Sequence, residues 1–150
     1  MPFEPKDPNY VERVTASFGR QAAMTTLGIE ISHLAPGEIE LSMPLIEAYT
    51  QQHGFMHAGI VATALDSAGG YAAFSLFPDD AAVLTVEFKI NLLAPAKGQR
   101  FLFRSKVLKP GRTLTVCEGH AYAVDTGREK LIASMSSTLM ALYDREGLHH

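Results

Sequence analysis

The chain has 150 residues, of which 47% are hydrophobic and 19% charged, and a formal net charge of -3. That mix belongs to one packed domain and argues against disorder. The slight acidity argues against a broad surface for nucleic acid or anionic membrane. A single cysteine, Cys117, excludes an intramolecular disulfide and a cysteine-rich metal site.

Residues 1–9 read as a loose arm. Their Glu4, Asp7 and prolines precede no apolar run, so no secretion signal is read there. With the lone cysteine, this points to a cytoplasmic protein. A helix is predicted over 10–26, with Val11, Val14, Phe18 and Ala22 at helical spacing and Gly28 closing the region. Ile39, Leu41 and Met43 alternate with Glu38, Glu40 and Ser42 after the turn signal Pro36-Gly37, so a hairpin is predicted over Ile29–Leu45. The irregular stretch Glu47–Met56 leads to an apolar helix from about His57 to Phe77, stopped by Pro78-Asp79-Asp80. Its uncharged stretch approaches the ~20 residues of a membrane span. Asp66 in its middle, and the lack of flanking Lys or Arg, favour a helix buried in protein instead.

Everything beyond reads as strand. Leu84, Val86, Phe88, Ile90 and Leu92 alternate with Thr85, Glu87, Lys89 and Asn91. Pro95–Gly98, Lys109-Pro110-Gly111-Arg112 and Asp125-Thr126-Gly127 are turns between three further strands, the last over Leu131–Tyr143. Leu148-His149-His150 reads equally as native or as the remnant of a purification tag. The order is helix, two strands, one long helix, four strands. The chain is expected to be a single α+β domain over 1–150, its mainly antiparallel sheet curved around the central helix.

Asp66 is the candidate catalytic carboxylate. One helical turn away lie Ala62, Thr63, Gly69 and Gly70, and Gly59 and Ala73 extend the stripe. An acid on an apolar helix is costly to bury without partners. Two glycines inside a helix cost about 1 kcal/mol each against alanine, so another group is expected to approach closely. The structural alternative is a polar spot, Asp66-Ser67, at a packing seam. His57-Ala58-Gly59 opens the helix, where free N–H groups can hold an anion or a developing oxyanion. Gly54 and Gly59 let backbone come near a ligand. An ordinary helix start with a structural histidine fits this position equally well. Ala58 and Asp66 are eight residues, or roughly 12 Å, apart along one helix. One carbonyl carbon cannot meet both in one chain, so a site using both is shared by two chains.

Other polar residues are weaker candidates. Thr85, Glu87, Lys89 and Asn91 line one face of a strand, by default a solvated one. Lys97, Lys109 and Arg112 lie in turns, where they contact ligand phosphates or solvent. His53 and His57 stand at H-x-x-x-H spacing, but Gly54 interrupts it and no Glu follows His53, so no metal is expected. His120 has no evident partner and reads as structural; Cys117 reads as core. No G-x-S-x-G elbow, P-loop or C-x-x-C occurs.

The run Gln51-Gln52-His53-Gly54-Phe55-Met56-His57-Ala58-Gly59, followed by Ile60 to Asp66, resembles the PaaI-type hotdog thioesterases. Their pattern is N-x-x-G-x-x-H-G-G, then six residues and an acid. The likeness continues through Leu84–Ala96, Gly111-Arg112-Thr113 and the last strand, so it spans about Leu27–Tyr143. Gln51 stands for the usual Asn and Ala58 for the usual Gly. The resemblance implies a hotdog fold and hydrolysis of an acyl-CoA thioester. It implies a homodimer with two shared sites, often paired into a homotetramer, and no metal or redox cofactor. It casts Asp66 as general base or nucleophile. The N–H of Ala58 or Gly59 would polarise the thioester carbonyl, which His57 and Gln51 would orient. Thr85, from the partner chain, would position water or Asp66. Gly54, Met56, Asn91, Pro95, Lys109, Gly111, Arg112 and Thr113 are expected along the substrate and its CoA. Met56, Phe74 and Phe77 would make the pocket wall apolar. The rival readings are a hotdog hydratase or dehydratase and a silent acyl-CoA-binding module.

Overall fold

The computed structural model describes residues 2–143, so the C-terminal histidine pair lies outside the described residues. Its elements are helices α1 (Tyr10–Arg20) and α2 (Ala22–Leu27), strands β1 (Glu30–Ala35) and β2 (Glu38–Pro44), helix α3 (Ala58–Phe74), and strands β3 (Ala81–Leu92), β4 (Arg100–Lys109), β5 (Leu114–Asp125) and β6 (Arg128–Tyr143), with a short 3-10 turn at Glu47–Tyr49. All pairings are antiparallel, and the six strands run in the order β1-β2-β4-β5-β6-β3. This is the hotdog architecture, a curved sheet with one long helix at its centre.

The alternation of each strand decides which side meets α3. Phe101, Phe103 and Val107 of β4, Cys117 and Ala121 of β5, and Met135 and Leu139 of β6 are buried together with Val61, Leu65, Ala68 and Ala72 of the helix. Close packing needs glycine at one point. A Cβ on Gly69 would lie 2.8 Å from Ser137 Oγ. Gly69 therefore faces this chain's own sheet, not a visiting group. Gly70 beside it is open. The small stripe is half-buried at Ala62, Thr63 and Gly70, but it closes at the fully buried Ala73.

Three local expectations change. The helix predicted over 10–26 breaks at Gln21, whose backbone is extended (ψ 95°) and whose N–H turns back to Phe18 O. The break lets both pieces bury an apolar side: Val14 and Phe18 from α1, Met24 and Leu27 from α2. The N-terminal arm is anchored. Asp7 Oδ2 accepts from Arg13 at 2.9 Å, and the other arm of that guanidinium donates to the carbonyls of Phe74 and Phe77. Arg13 thus serves the end of α3, which stops at Phe74 and continues as turns to Phe77.

The third change lies in β3. A register shift between Thr85 and Glu87 leaves Val86 as a bulge. Thr85 pairs with buried Leu139 and so shares the helix side of the sheet; Glu87, Lys89 and Asn91 pair with Thr138, Ser136 and Ser134 and share the outer side. The strict alternation read along this strand is thereby split. β3 is also an edge strand, and it exposes Leu84, Val86, Phe88 and Leu92. Among the described residues, no helix is long and apolar enough to cross a membrane.

Candidate active site

The loop before α3 is built by its own hydrogen bonds. Gln51 N–H donates to Phe55 O at 2.8 Å, and Gln51 Oε1 accepts from His53 N–H at 2.6 Å and from Phe55 N–H at 3.3 Å. The turn needs Gly54, which sits at φ +83°. Gln51 has thus committed its side-chain oxygen to the turn, while its side-chain amide hydrogens make no hydrogen bond among the described residues. Met56 is buried and its N–H reaches Ala96 O, which ties the loop to the segment after β3.

His57 caps the helix in an informative way. Its Nδ1 accepts from Gly59 N–H at 2.8 Å, and its carbonyl accepts from the N–H groups of Ile60 and Val61. Three of the first four helical amides are therefore occupied. Ala58 N–H remains without a partner among the described residues and is exposed. Of the two expected oxyanion donors, Ala58 is left and Gly59 is taken. With Nδ1 accepting, the N–H of a neutral His57 ring is on Nε2.

Asp66 lies two turns further along α3, half-buried. Thr85 Oγ1 donates to Asp66 Oδ1 at 2.8 Å. Both residues belong to one chain, so Thr85 need not come from a partner to reach Asp66. The pair lines a cavity of about 340 Å³ with Ser17, Arg20, Gln21, Ser67, Gly70 and Tyr71. Ala58 and Gln51 line a different one of about 390 Å³, with Met56, Leu92 and Pro95. Within one chain the structure does not bring the helix start and Asp66 together.

The remaining candidates are dispersed. The Lys109–Thr113 turn lies by the opposite end of α3 from Ala58: Gly111 and Arg112 line a third cavity with Phe3, Lys6, Leu76 and Phe77. Arg112 O accepts from Tyr143 OH, and Thr113 O from Ala141 N–H. Asn91 is on the outer side of β3. Phe74 is core, beneath the Arg13 guanidinium, and lines none of the three cavities described here. His120 does have a neighbour, Glu118 Oε1 at 3.6 Å. Sequence reasoning missed Ser17, Gln21 and Tyr71, and named Ser67 only as part of a polar spot with Asp66. Their signal was polar pairs four residues apart on otherwise apolar helix faces, and Gln21 needed the helix break to be seen.

Residues 53–130 match the family model described as the thioesterase superfamily. A Saccharolobus solfataricus protein named as an esterase is 35% identical over 92 residues, covering 61% of this chain and 65% of that protein. Human acyl-coenzyme A thioesterase 13 is 31% identical over 87 residues, covering 57% of this chain and 61% of its own length. The chain thus spans just under two thirds of these relatives. A thioesterase family protein from Silicibacter pomeroyi is similar in structure, with TM-score 0.89 and 61% identity over 89% of this chain and 98% of that one. The E. coli PaaI protein shares the fold at TM-score 0.80 and 19% identity, over 89% and 94% of the two chains.

Proposed function

Because the chain belongs to the thioesterase superfamily, we propose that it is a thioester hydrolase that splits acyl-CoA into a free acid and CoA, with Asp66 as the general base. The observation that carries this reading is the Thr85–Asp66 bond of 2.8 Å at the edge of an open cavity. Thr85 holds Oδ1, and Oδ2 stays available to take a proton from water. The water oxygen attacks the thioester carbonyl carbon, and negative charge moves to the carbonyl oxygen. That charge falls to the partnerless N–H of Ala58, aided by the positive end of α3. When the C–S bond breaks, Asp66 returns the proton to the leaving thiolate. Gln51 Nε2 and His57 Nε2 are the further donors that would orient the carbonyl. Water and side chains suffice for this chemistry; no cofactor enters it.

The reading requires two chains. The roughly 12 Å between Ala58 and Asp66, and their separate cavities, favour a homodimer in which each site takes its helix start from one chain and Asp66 with Thr85 from the other. β3 supports it as an edge strand with Leu84, Val86, Phe88 and Leu92 exposed, a surface that invites pairing with another strand. Pairing of dimers into a homotetramer is compatible with this arrangement. The test is a panel of acyl-CoA esters in a thiol-release assay, run on the wild type and on Asp66→Asn. Release by the wild type alone supports the reading; no release from any ester sinks it.

A further inference from the structure

The far end of α3 holds a cavity that Asp66 does not line. It measures about 290 Å³, and both the N-terminal arm and the Lys109–Thr113 turn line it. Three rings border it: Phe3 of the arm, Phe77 just past α3, and Tyr143 at the end of β6. Three charged side chains share the lining, Glu4 and Lys6 of the arm and Arg112 of the turn. All three are exposed, and none of these side chains makes a hydrogen bond or ion pair among the described residues.

Both walls are fixed by contacts of their own. Asp7 accepts from Arg13 at 2.9 Å and from Asn9 N–H at 2.9 Å, which pins the arm at its root. Further out, Phe3 sits on the β1–β2 turn, so close that a Cβ on Gly37 would lie 2.8 Å from its ring. On the other wall, Tyr143 OH donates to Arg112 O at 2.7 Å. Gly111 draws that turn against Leu114, where a Cβ would lie 2.1 Å from the Leu114 carbonyl oxygen. A site already in place before its ligand arrives loses little entropy on binding.

The lining sets what an occupant must offer. Rings among the lining favour a flat ring that stacks. Lys6 and Arg112 call for an anion, and the planar fork of Arg112 suits phosphate. The Glu4 carboxylate only accepts, so it calls for an N–H. A fatty acid supplies the anion but neither the flat ring nor the donor. An adenine nucleotide supplies all three: the base to stack, its exocyclic amine for Glu4, and phosphate for Lys6 and Arg112.

We propose that this cavity between arm and turn binds an adenine nucleotide, stacked on Phe3 and held by Lys6 and Arg112. Such binding does not depend on thioester hydrolysis. Two sources share the chemistry: the adenosine bisphosphate end of a CoA ester, and a free adenine nucleotide acting as an effector.

The experiment is calorimetry on the full chain with adenosine 3′,5′-bisphosphate, ATP, UTP, inorganic phosphate and decanoate. At least one adenine nucleotide is expected to bind, more tightly than UTP or phosphate. Phe3→Leu keeps an apolar side chain on Gly37 and removes the ring face. It should weaken that nucleotide roughly 10-fold, the scale of one stacked base. Lys6→Gln should weaken it several-fold, and less so at high salt. Should Phe3→Leu fail to fold by its melting curve, the wild-type ranking and Lys6→Gln decide. If the source is CoA, the ratio of kcat/KM for hexanoyl-CoA to that for S-hexanoyl-pantetheine falls by the same factor in Phe3→Leu. If it is a free effector, that ratio holds and ATP changes the rate of both esters; either result supports the site. No binding of either adenine nucleotide at millimolar concentration overturns the proposal. So does an affinity unchanged in folded Phe3→Leu and Lys6→Gln, or phosphate or decanoate binding as tightly as the nucleotide. A protein that cleaves no ester but still binds the nucleotide loses the hydrolase reading and keeps this site.

Discussion

Thr85 Oγ1 donates to Asp66 Oδ1 at 2.8 Å, across nineteen residues of sequence and within one chain. The contact exists because Val86 bulges out of β3. Upstream of the bulge the strand turns Thr85 towards α3; downstream it turns Glu87, Lys89 and Asn91 outward. The bulge sets which side chain meets the acid, and it does so on the exposed edge strand.

Asp66→Asn should keep the fold and lose about 10²-fold or more in kcat, the scale of a general base. Thr85→Ala should lose less, because it frees the carboxylate without removing it. Melting curves and thiol-release rates measure both. Near-normal kcat in folded Asp66→Asn would refute the assignment. A single turnover in ¹⁸O-water separates base from nucleophile. Label should enter the product acid directly and leave Asp66 unlabelled.

Sharing of the site can be tested by mixing two dead variants. One carries Asp66→Asn. The other carries Gly59→Leu; a Cβ there already lies 3.0 Å from the His57 ring, so the larger side chain disrupts the helix start. A mixed dimer holds one intact site and one doubly damaged site. Co-refolding should restore activity, up to about half per mixed dimer by symmetry. Demonstrated subunit exchange without recovery would place each site in a single chain.

The Lys109–Thr113 turn is expected to hold the CoA end of the substrate. Converting Lys109 and Arg112 together to Glu should raise KM more than it lowers kcat, and more so at low salt. A KM for CoA esters that does not move would remove the turn from the binding surface.

Burial pushes the Cys117 thiol up to about 12. At pH 8 the native protein should therefore resist thiol reagents, and it should react once per chain on unfolding. Labelling that is fast in the native protein would show that the sheet above Gly69 opens readily.

Much of this molecule was legible in one dimension. Period-two alternation in β2 marked its buried face. The apolar stretch with Asp66 at its centre marked α3 as enclosed. His57-Ala58-Gly59 marked the helix start, and the 1.5 Å rise of a helix separated it from Asp66. Each of these follows from local geometry, which the order of residues determines directly. What only the tertiary structure decided depends on residues far apart in sequence. Gln21 breaks a helix because α1 and α2 must each bury a face, and this brings its amide to Ser67. Val86 bulges where β3 pairs with β6, and so Thr85 reaches Asp66. Gly69 serves the sheet because Ser137 lies beneath it. His57 Nδ1 claims Gly59 N–H, which singles out Ala58 as the free amide. A pattern along the chain can show that a face is small or polar; only packing decides what that face meets.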